Sequence, residues 1–266
     1  MPFAQTGNIK TYYELHGQGP PIVFIHGDAG SHDNWSPQTE YFSENFNVLT
    51  YDLRGHQQSG GSDDKYTCAL LAEDLHSLLE DVEISEPVIC GQSFGGMIAQ
   101  KYAVKYQTDI HGLVLADTVA STSLTVREKI ERTFFPPDLV KKTVRRMSPE
   151  SYADLDLKYF AIAPEIRDYL KKEQLKMDRQ EMVKLIDAKF SFRLLPLREI
   201  RVPTLIVTGE NETKRVFRHA EVMLKMIPGS RKVIVPGAGH VPNLENPDYF
   251  NRELEDFLHA LVISSF

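Results

Sequence analysis

Three residue types can together break an acyl bond: a serine to attack, a histidine to carry the proton and a carboxylate to orient the histidine. The chain holds a serine suited to this work in Pro87-Val88-Ile89-Cys90-Gly91-Gln92-Ser93-Phe94-Gly95-Gly96. An apolar run of strand length stops at Ser93, small residues stand two places to either side, and a helix-like segment from Met97 to Tyr106 follows at once. So tight a strand-to-helix turn strains the serine backbone and leaves no room for side chains at Gly91 and Gly95. The hydroxyl is then exposed at the carboxyl end of a parallel sheet, beside the free amides of a helix N-terminus.

An unassisted serine is a poor nucleophile, so a base and an acid should follow at later strand ends. Strand-like Lys232-Val233-Ile234-Val235 leads into Pro236-Gly237-Ala238-Gly239-His240, a glycine-rich loop able to present an imidazole. Of the nine histidines, His240 is the expected base. Upstream, Val202 to Gly209 reads as a buried strand, and Glu210-Asn211-Glu212-Thr213 at its end offers a carboxylate to orient His240.

These groups need a scaffold. Apolar runs ending in turn signals recur at Pro21 to Ile25, Val48 to Tyr51, Pro87 to Cys90, Gly112 to Ala116, Val202 to Thr208 and Lys232 to Val235. They predict strands buried on both faces, as in a parallel sheet. Between them, Cys68 to Val82 carries Leu71, Leu75, Leu78, Leu79 and Val82 at helical spacing, and Phe250 to Val262 carries Leu254, Phe257, Leu258 and Leu261. Alternating strand and helix implies right-handed crossovers and a doubly wound α/β sheet. The rhythm breaks between residues 120 and 200, which are rich in charge, helical apolar stripes and proline. A helical cap over 120–200 is expected, inserted into a core of residues 1–119 and 201–266. Its basic cluster Lys141, Lys142, Arg145 and Arg146 faces away from the stripe Val140, Val144 and Met147 and reads as a solvated helix face.

The chain resembles the α/β-hydrolase superfamily along nearly its whole length. The resemblance rests on Phe24-Ile25-His26-Gly27, Trp35, Tyr51-Asp52-Leu53-Arg54-Gly55-His56, the Ser93 turn, Leu115-Ala116-Asp117-Thr118 and Gly239-His240-Val241-Pro242-Asn243-Leu244-Glu245-Asn246-Pro247. It is similar to the small esterase, enol-lactonase and cofactor-free haloperoxidase group. That implies a mostly parallel twisted sheet flanked by helices, with a cap. It also implies a serine hydrolase of small to medium carboxylic esters, acting through an acyl-enzyme. A lactonase, a perhydrolase, a carbon-carbon bond hydrolase or a ligand receptor with little turnover would share the pattern.

By the same resemblance the acid is Glu212, with Asp117 as the alternative and Glu210 behind it. The oxyanion would be met by the backbone N–H of Phe94, directly after the nucleophile, and by that of Asp28, directly after His26-Gly27. Asp28 departs from the apolar or glycine residue usual there, and Gln57 from a glycine in the Arg-Gly-His-Gly-x-Ser pattern. Aromatic residues of the cap, Phe134, Phe135, Tyr159 and Phe160, are expected with Phe94 to line the pocket. His32 and His56 are expected at its entrance.

The 266 residues, 42% of them hydrophobic, suffice for one catalytic domain with a sizeable core. A formal charge of −7 argues against a nucleic-acid partner. No run approaches membrane-spanning length and the N-terminus lacks a basic, apolar leader, so a small-molecule ester in the cytoplasm is the expected setting. Cys68 and Cys90 fit neither a disulfide framework nor a zinc site, and neither a metal-ligand spacing nor a G-x-G-x-x-G is present. No metal and no cofactor are expected.

Overall fold

The computed structural model describes residues 2–158 and 162–264. In chain order the elements are β1 (Phe3–Thr6), β2 (Ile9–His16), β3 (Pro21–Ile25), α1 (Ser36–Phe42), β4 (Asn47–Tyr51), α2 (Cys68–Asp81), β5 (Val88–Gln92), α3 (Phe94–Lys105) and β6 (Gly112–Ala116). The helices α4 (Val126–Phe134), α5 (Pro137–Arg146), α6 (Pro149–Lys158), α7 (Pro164–Leu175) and α8 (Arg179–Ser191) come next. The chain closes with β7 (Thr204–Gly209), α9 (Lys214–Met226), β8 (Arg231–Val235), α10 (Pro242–Glu245) and α11 (Pro247–Ser264).

The strands form one sheet in the order β1-β2-β4-β3-β5-β6-β7-β8. Pairing is antiparallel from β1 through β2 to β4 and parallel across the rest. Strand alternation divides the core in two. Val23, Ile25, Leu49, Ile89, Leu113, Leu115 and Ile206 face α2, α3 and α9, whereas Ile22, Phe24, Val48, Val88, Val114 and Leu205 face Trp35, Phe42 and α11. Because both faces are covered, each central strand is apolar without interruption, which is the pattern that marked it in the sequence. The helical stripes behave likewise: Leu71, Leu75, Leu78 and Leu79 of α2 and Leu254, Phe257, Leu258 and Leu261 of α11 are all buried.

The hairpin of β1 and β2 had no counterpart in the sequence reading. Its strands are half-exposed, and the reversal is made by Gly7 in a left-handed conformation at φ 55°. Between β6 and β7 the described residues form helices α4–α8, with no strand. Val144 of α5 packs on Val183 and Ile186 of α8, while Lys141 pairs with Asp138 and Asp187. No described helix is long and apolar enough to cross a membrane.

One buried ion pair fastens the end of β4 to α2. Arg54 is 2% exposed and donates in a fork to Asp74, Nε to Oδ2 at 2.7 Å and Nη2 to Oδ1 at 2.6 Å. Removing one partner leaves an uncompensated buried charge. Asp74→Ala should therefore lower the unfolding free energy by about 3–5 kcal/mol, and the double change Arg54→Met with Asp74→Leu should cost clearly less. Urea unfolding of both variants measures the difference.

Candidate active site

β5 ends between β3 and β6, so the turn into α3 has backbone on three sides. Ser93 takes φ 52° and ψ −113° there. Its N–H donates to Ala116 O at 2.9 Å and its carbonyl accepts from Thr118 Oγ1 at 2.6 Å. A Cβ on Gly91 would stand 2.5 Å from Gly95 O, and one on Gly95 would collide with the carbonyl oxygens of Ile25 and His26. These glycines let α3 approach closely enough to impose the strained serine conformation.

The loop after β8 brings His240 to the serine. His240 Nε2 lies 2.9 Å from Ser93 Oγ, and His240 Nδ1 is hydrogen-bonded to Glu212 Oε2. Glu212 Oε1 accepts from the Thr213 amide at the start of α9. Burial alone would raise the Glu212 carboxyl, but the hydrogen bond and charge of His240, with the Thr213 amide, hold it below the usual glutamate range. It is thus kept as the anion that an imidazolium needs beside it.

The competing carboxylates have other partners. Asp117, at φ 39° after β6, accepts from the Gly209 amide at 3.1 and 3.2 Å. Burial, and then the charge of Glu212, push its carboxyl well above the usual range. Glu210 accepts from the Gly237 amide at 2.8 Å on the exposed side of the loop.

Two residues outside the sequence reading hold the histidine loop. Gln92 donates from Nε2 to His240 O at 2.7 Å. Glu245 Oε2 accepts from the amides of Gly239 at 2.8 Å and Val241 at 3.2 Å, while its Oε1 accepts from the Ala163 amide at 2.7 Å, just ahead of α7. Gln92 immediately precedes Ser93 and Glu245 lies in the Asn243-Leu244-Glu245-Asn246 stretch already quoted, but nothing in either position marks a side chain as a loop clamp.

Phe94 opens α3, so its N–H belongs to the first turn of a helix and has no acceptor within it. The β3 loop lies over the serine: a Cβ on Gly27 would stand 3.4 Å from Ser93 Cβ. The Asp28 side chain turns to Lys189 of α8. Gln57 is left-handed at φ 39° and donates from Nε2 to Glu173 O in α7 at 3.0 Å. His26 donates from Nδ1 to Gly27 O at 2.7 Å and accepts from the Leu53 amide on Nε2 at 3.0 Å, which requires a neutral ring.

The cavity at Ser93 and His240 measures about 40 Å³ and is roofed by Leu157, Ile162, Leu170 and Val241, with Asp28 and Asp156 as its charged lining. This corrects the expected lining at Phe94, Phe134 and Phe135. Phe134 and Phe135 are 70% and 61% exposed where α4 ends, because that end of the helix points to solvent; Phe135 lines a separate surface groove with Arg132 and Phe190. Phe94 packs into the core beneath the turn. Tyr159 and Phe160 lie outside the described residues. The aliphatic roof follows from packing: Leu157 of α6 and Leu170 of α7 meet Ile162 and Val241 in one cluster that shuts the helices onto the histidine loop. His32 and His56 do not line the cavity; His32 is bound to Asp52 and His56 is fully buried.

Burial, reinforced by nearby His56, lowers the His26 pKa from 6.5 to about 3. Between those values the unfolded chain carries a proton that the folded chain excludes, so stability falls as pH drops through this window. His26→Asn should reduce the slope of stability against pH by up to one proton, about 1.4 kcal/mol per pH unit. Urea unfolding at several pH values from 6.5 downward reads that slope directly.

Residues 22–253 match the sequence model of the Alpha/beta hydrolase family. A proline iminopeptidase of Saccharolobus solfataricus is 28% identical, over 94% of this chain and 89% of that protein. Two solved structures superpose closely. A thermophilic esterase from Thermogutta terrifontis has a TM-score of 0.85 at 25% identity, covering 98% of this chain and 97% of that one. The enol-lactonase from Burkholderia xenovorans has a TM-score of 0.86 at 24% identity, covering 97% and 100%. A match spanning most of the chain, on an eight-stranded and mostly parallel sheet, makes this protein a member of the alpha/beta hydrolase family.

Proposed function

We propose that the protein is a serine hydrolase of carboxylic esters with a small acyl group. One observation carries the reading: Ser93 Oγ, His240 and Glu212 form a continuous hydrogen-bonded relay on a strained strand-to-helix turn. His240 Nε2 takes the hydroxyl proton as Oγ attacks the ester carbonyl, and Glu212 stabilises the imidazolium that results. The oxyanion is met by the amides of Phe94 and Asp28. Collapse of the tetrahedral intermediate breaks the bond to the alcohol, which leaves with the proton from His240. Water, deprotonated by the same imidazole, then attacks the acyl-enzyme and releases the acid.

The inserted segment that carries α4–α8 acts as a cap, supplying Leu157, Ile162 and Leu170 to the cavity's aliphatic roof. The cavity is small and roofed by aliphatic side chains, so short acyl chains fit best. An esterase and an enol-lactonase stand among the structural neighbours, and attack by this relay on an acyl carbon would open a linear or a cyclic ester alike.

Steady-state hydrolysis of p-nitrophenyl acetate, butyrate and octanoate checks both points. kcat/KM should fall as the acyl chain lengthens, and Ser93→Ala or His240→Ala should lower kcat by about 10⁶-fold. Activity that survives Ser93→Ala would end the proposal. For the acid, Glu212→Gln should cost about 10⁴-fold in kcat, whereas Asp117→Asn should cost less than about tenfold. Equal mild losses would remove both carboxylates from the mechanism.

A further inference from the structure

A carboxylate directly after the His26-Gly27 pair faces the place where negative charge must develop, and on its own it would oppose catalysis. Its counter-ion comes from a part of the chain 161 residues away, the Nζ of Lys189 donating to Asp28 Oδ2. Lys189 is held in place by its helix. Leu185, Ile186 and Ala188 of α8 are buried, and Cys68 donates from Sγ to Ala188 O at 3.9 Å. The ammonium is therefore delivered to the β3 loop by a packed element of the core-facing cap.

We propose that Lys189 is a positioning residue for the Ser93 chemistry: by neutralising the Asp28 carboxylate across the seam between α8 and the β3 loop, it lets the amide after Gly27 meet the developing oxyanion in an attractive field. The inference deepens the hydrolase reading and rests on it. Burial alone would raise the Asp28 carboxyl, but the charge and hydrogen bond of Lys189 hold it below the usual aspartate range, and Asp28 in turn holds the Lys189 ammonium above the usual lysine range. Both members of the pair are thus ionised together. A second carboxyl, Asp156, also lines the cavity, but it accepts from Gln174 Nε2 at 3.2 Å, and burial raises it toward the neutral form. Asp28 is the charge that has to be cancelled, and Lys189 cancels it only while α8 is docked.

A fluorophosphonate probe reads this independently of the natural substrate. Ser93 Oγ forms the phosphorus-oxygen bond, fluoride leaves, the hydroxyl proton passes to His240, and the phosphoryl oxygen gains negative charge on the way as an acyl oxyanion would. The labelling rate at Ser93, located by peptide mass spectrometry, is measured alongside kcat and KM for p-nitrophenyl acetate in the full chain. Lys189→Met and Lys189→Gln should each slow labelling and lower kcat by about 10²-fold, the scale of a lost oxyanion donor, with KM moving less than about threefold. Lys189→Gln keeps an amide that can hydrogen-bond Asp28, so a purely structural tie would leave its rate near that of the wild type. Asp28→Asn combined with Lys189→Met should recover at least about tenfold over Lys189→Met alone, because no carboxylate then needs cancelling.

A Lys189→Gln rate within about threefold of wild type overturns the inference. So does a double variant that melts like the wild type yet labels no faster than Lys189→Met. Should Lys189→Met fail to fold, Lys189→Gln set against Asp28→Asn with Lys189→Gln makes the same comparison. If the wild type itself is not labelled at Ser93, the hydrolase reading falls and this inference falls with it; a labelled wild type with unaffected Lys189 variants removes this inference alone.

Discussion

The geometry of the site depends on one backbone constraint, the left-handed conformation of Ser93. A non-glycine residue held there costs about 1–3 kcal/mol and persists only where its surroundings over-determine it. Here they do. Ala116 O and Thr118 Oγ1 grip the serine's amide and carbonyl, and Gly91 and Gly95 bring α3 into contact with the β3 and β5 backbones. Ala29 and Asp117, just beyond the ends of β3 and β6, also have positive φ, at 55° and 39°. Positive-φ residues thus flank Ser93 at the carboxyl edge of the sheet, while Glu83 and Glu86 carry others ahead of β5.

Around that edge, carboxylates of similar chemistry do different work because different donors meet them. Glu212 has an imidazole and an amide, and stays anionic. Asp117, one strand over, has a single amide and the charge of Glu212 against it, and is pushed toward the neutral acid. Glu210 closes an exposed turn, and Asp28 is occupied by a lysine. Residue identity alone does not separate these roles; the local supply of hydrogen-bond donors does.

This explains what was legible in the chain and what was not. The strands β3 to β7 and the α2 and α11 stripes could be read because burial on both faces or on one stripe imposes a composition; β8, expected to be buried on both faces, lies at the sheet edge with only Val235 buried. The order of Ser93, Glu212 and His240 along the chain could be read because each must follow a strand end. The β1–β2 hairpin escaped because its buried positions include Thr6 and Thr11 and its exposed ones include Phe3, so polarity does not follow the alternation of the strands. The cavity lining was misjudged at Phe134 and Phe135 because an aromatic residue in an amphipathic helix carries no record of which neighbour it meets. The Asp28–Lys189 pair and the Gln92 clamp join residues far apart in the chain, 161 and 148 positions respectively, and such pairings have no local pattern.

Glu245 spends one carboxylate oxygen on the histidine loop and the other on the Ala163 amide at the threshold of α7. The seat of the imidazole and the start of α7 are therefore a single mechanical joint. A chimera that grafts a relative's cap onto this core inherits a requirement at that joint: unless an amide arrives where Ala163 now stands, one oxygen of Glu245 is left unpaired. The loop that aims His240 would then be free to re-seat, even with every residue of the relay unchanged.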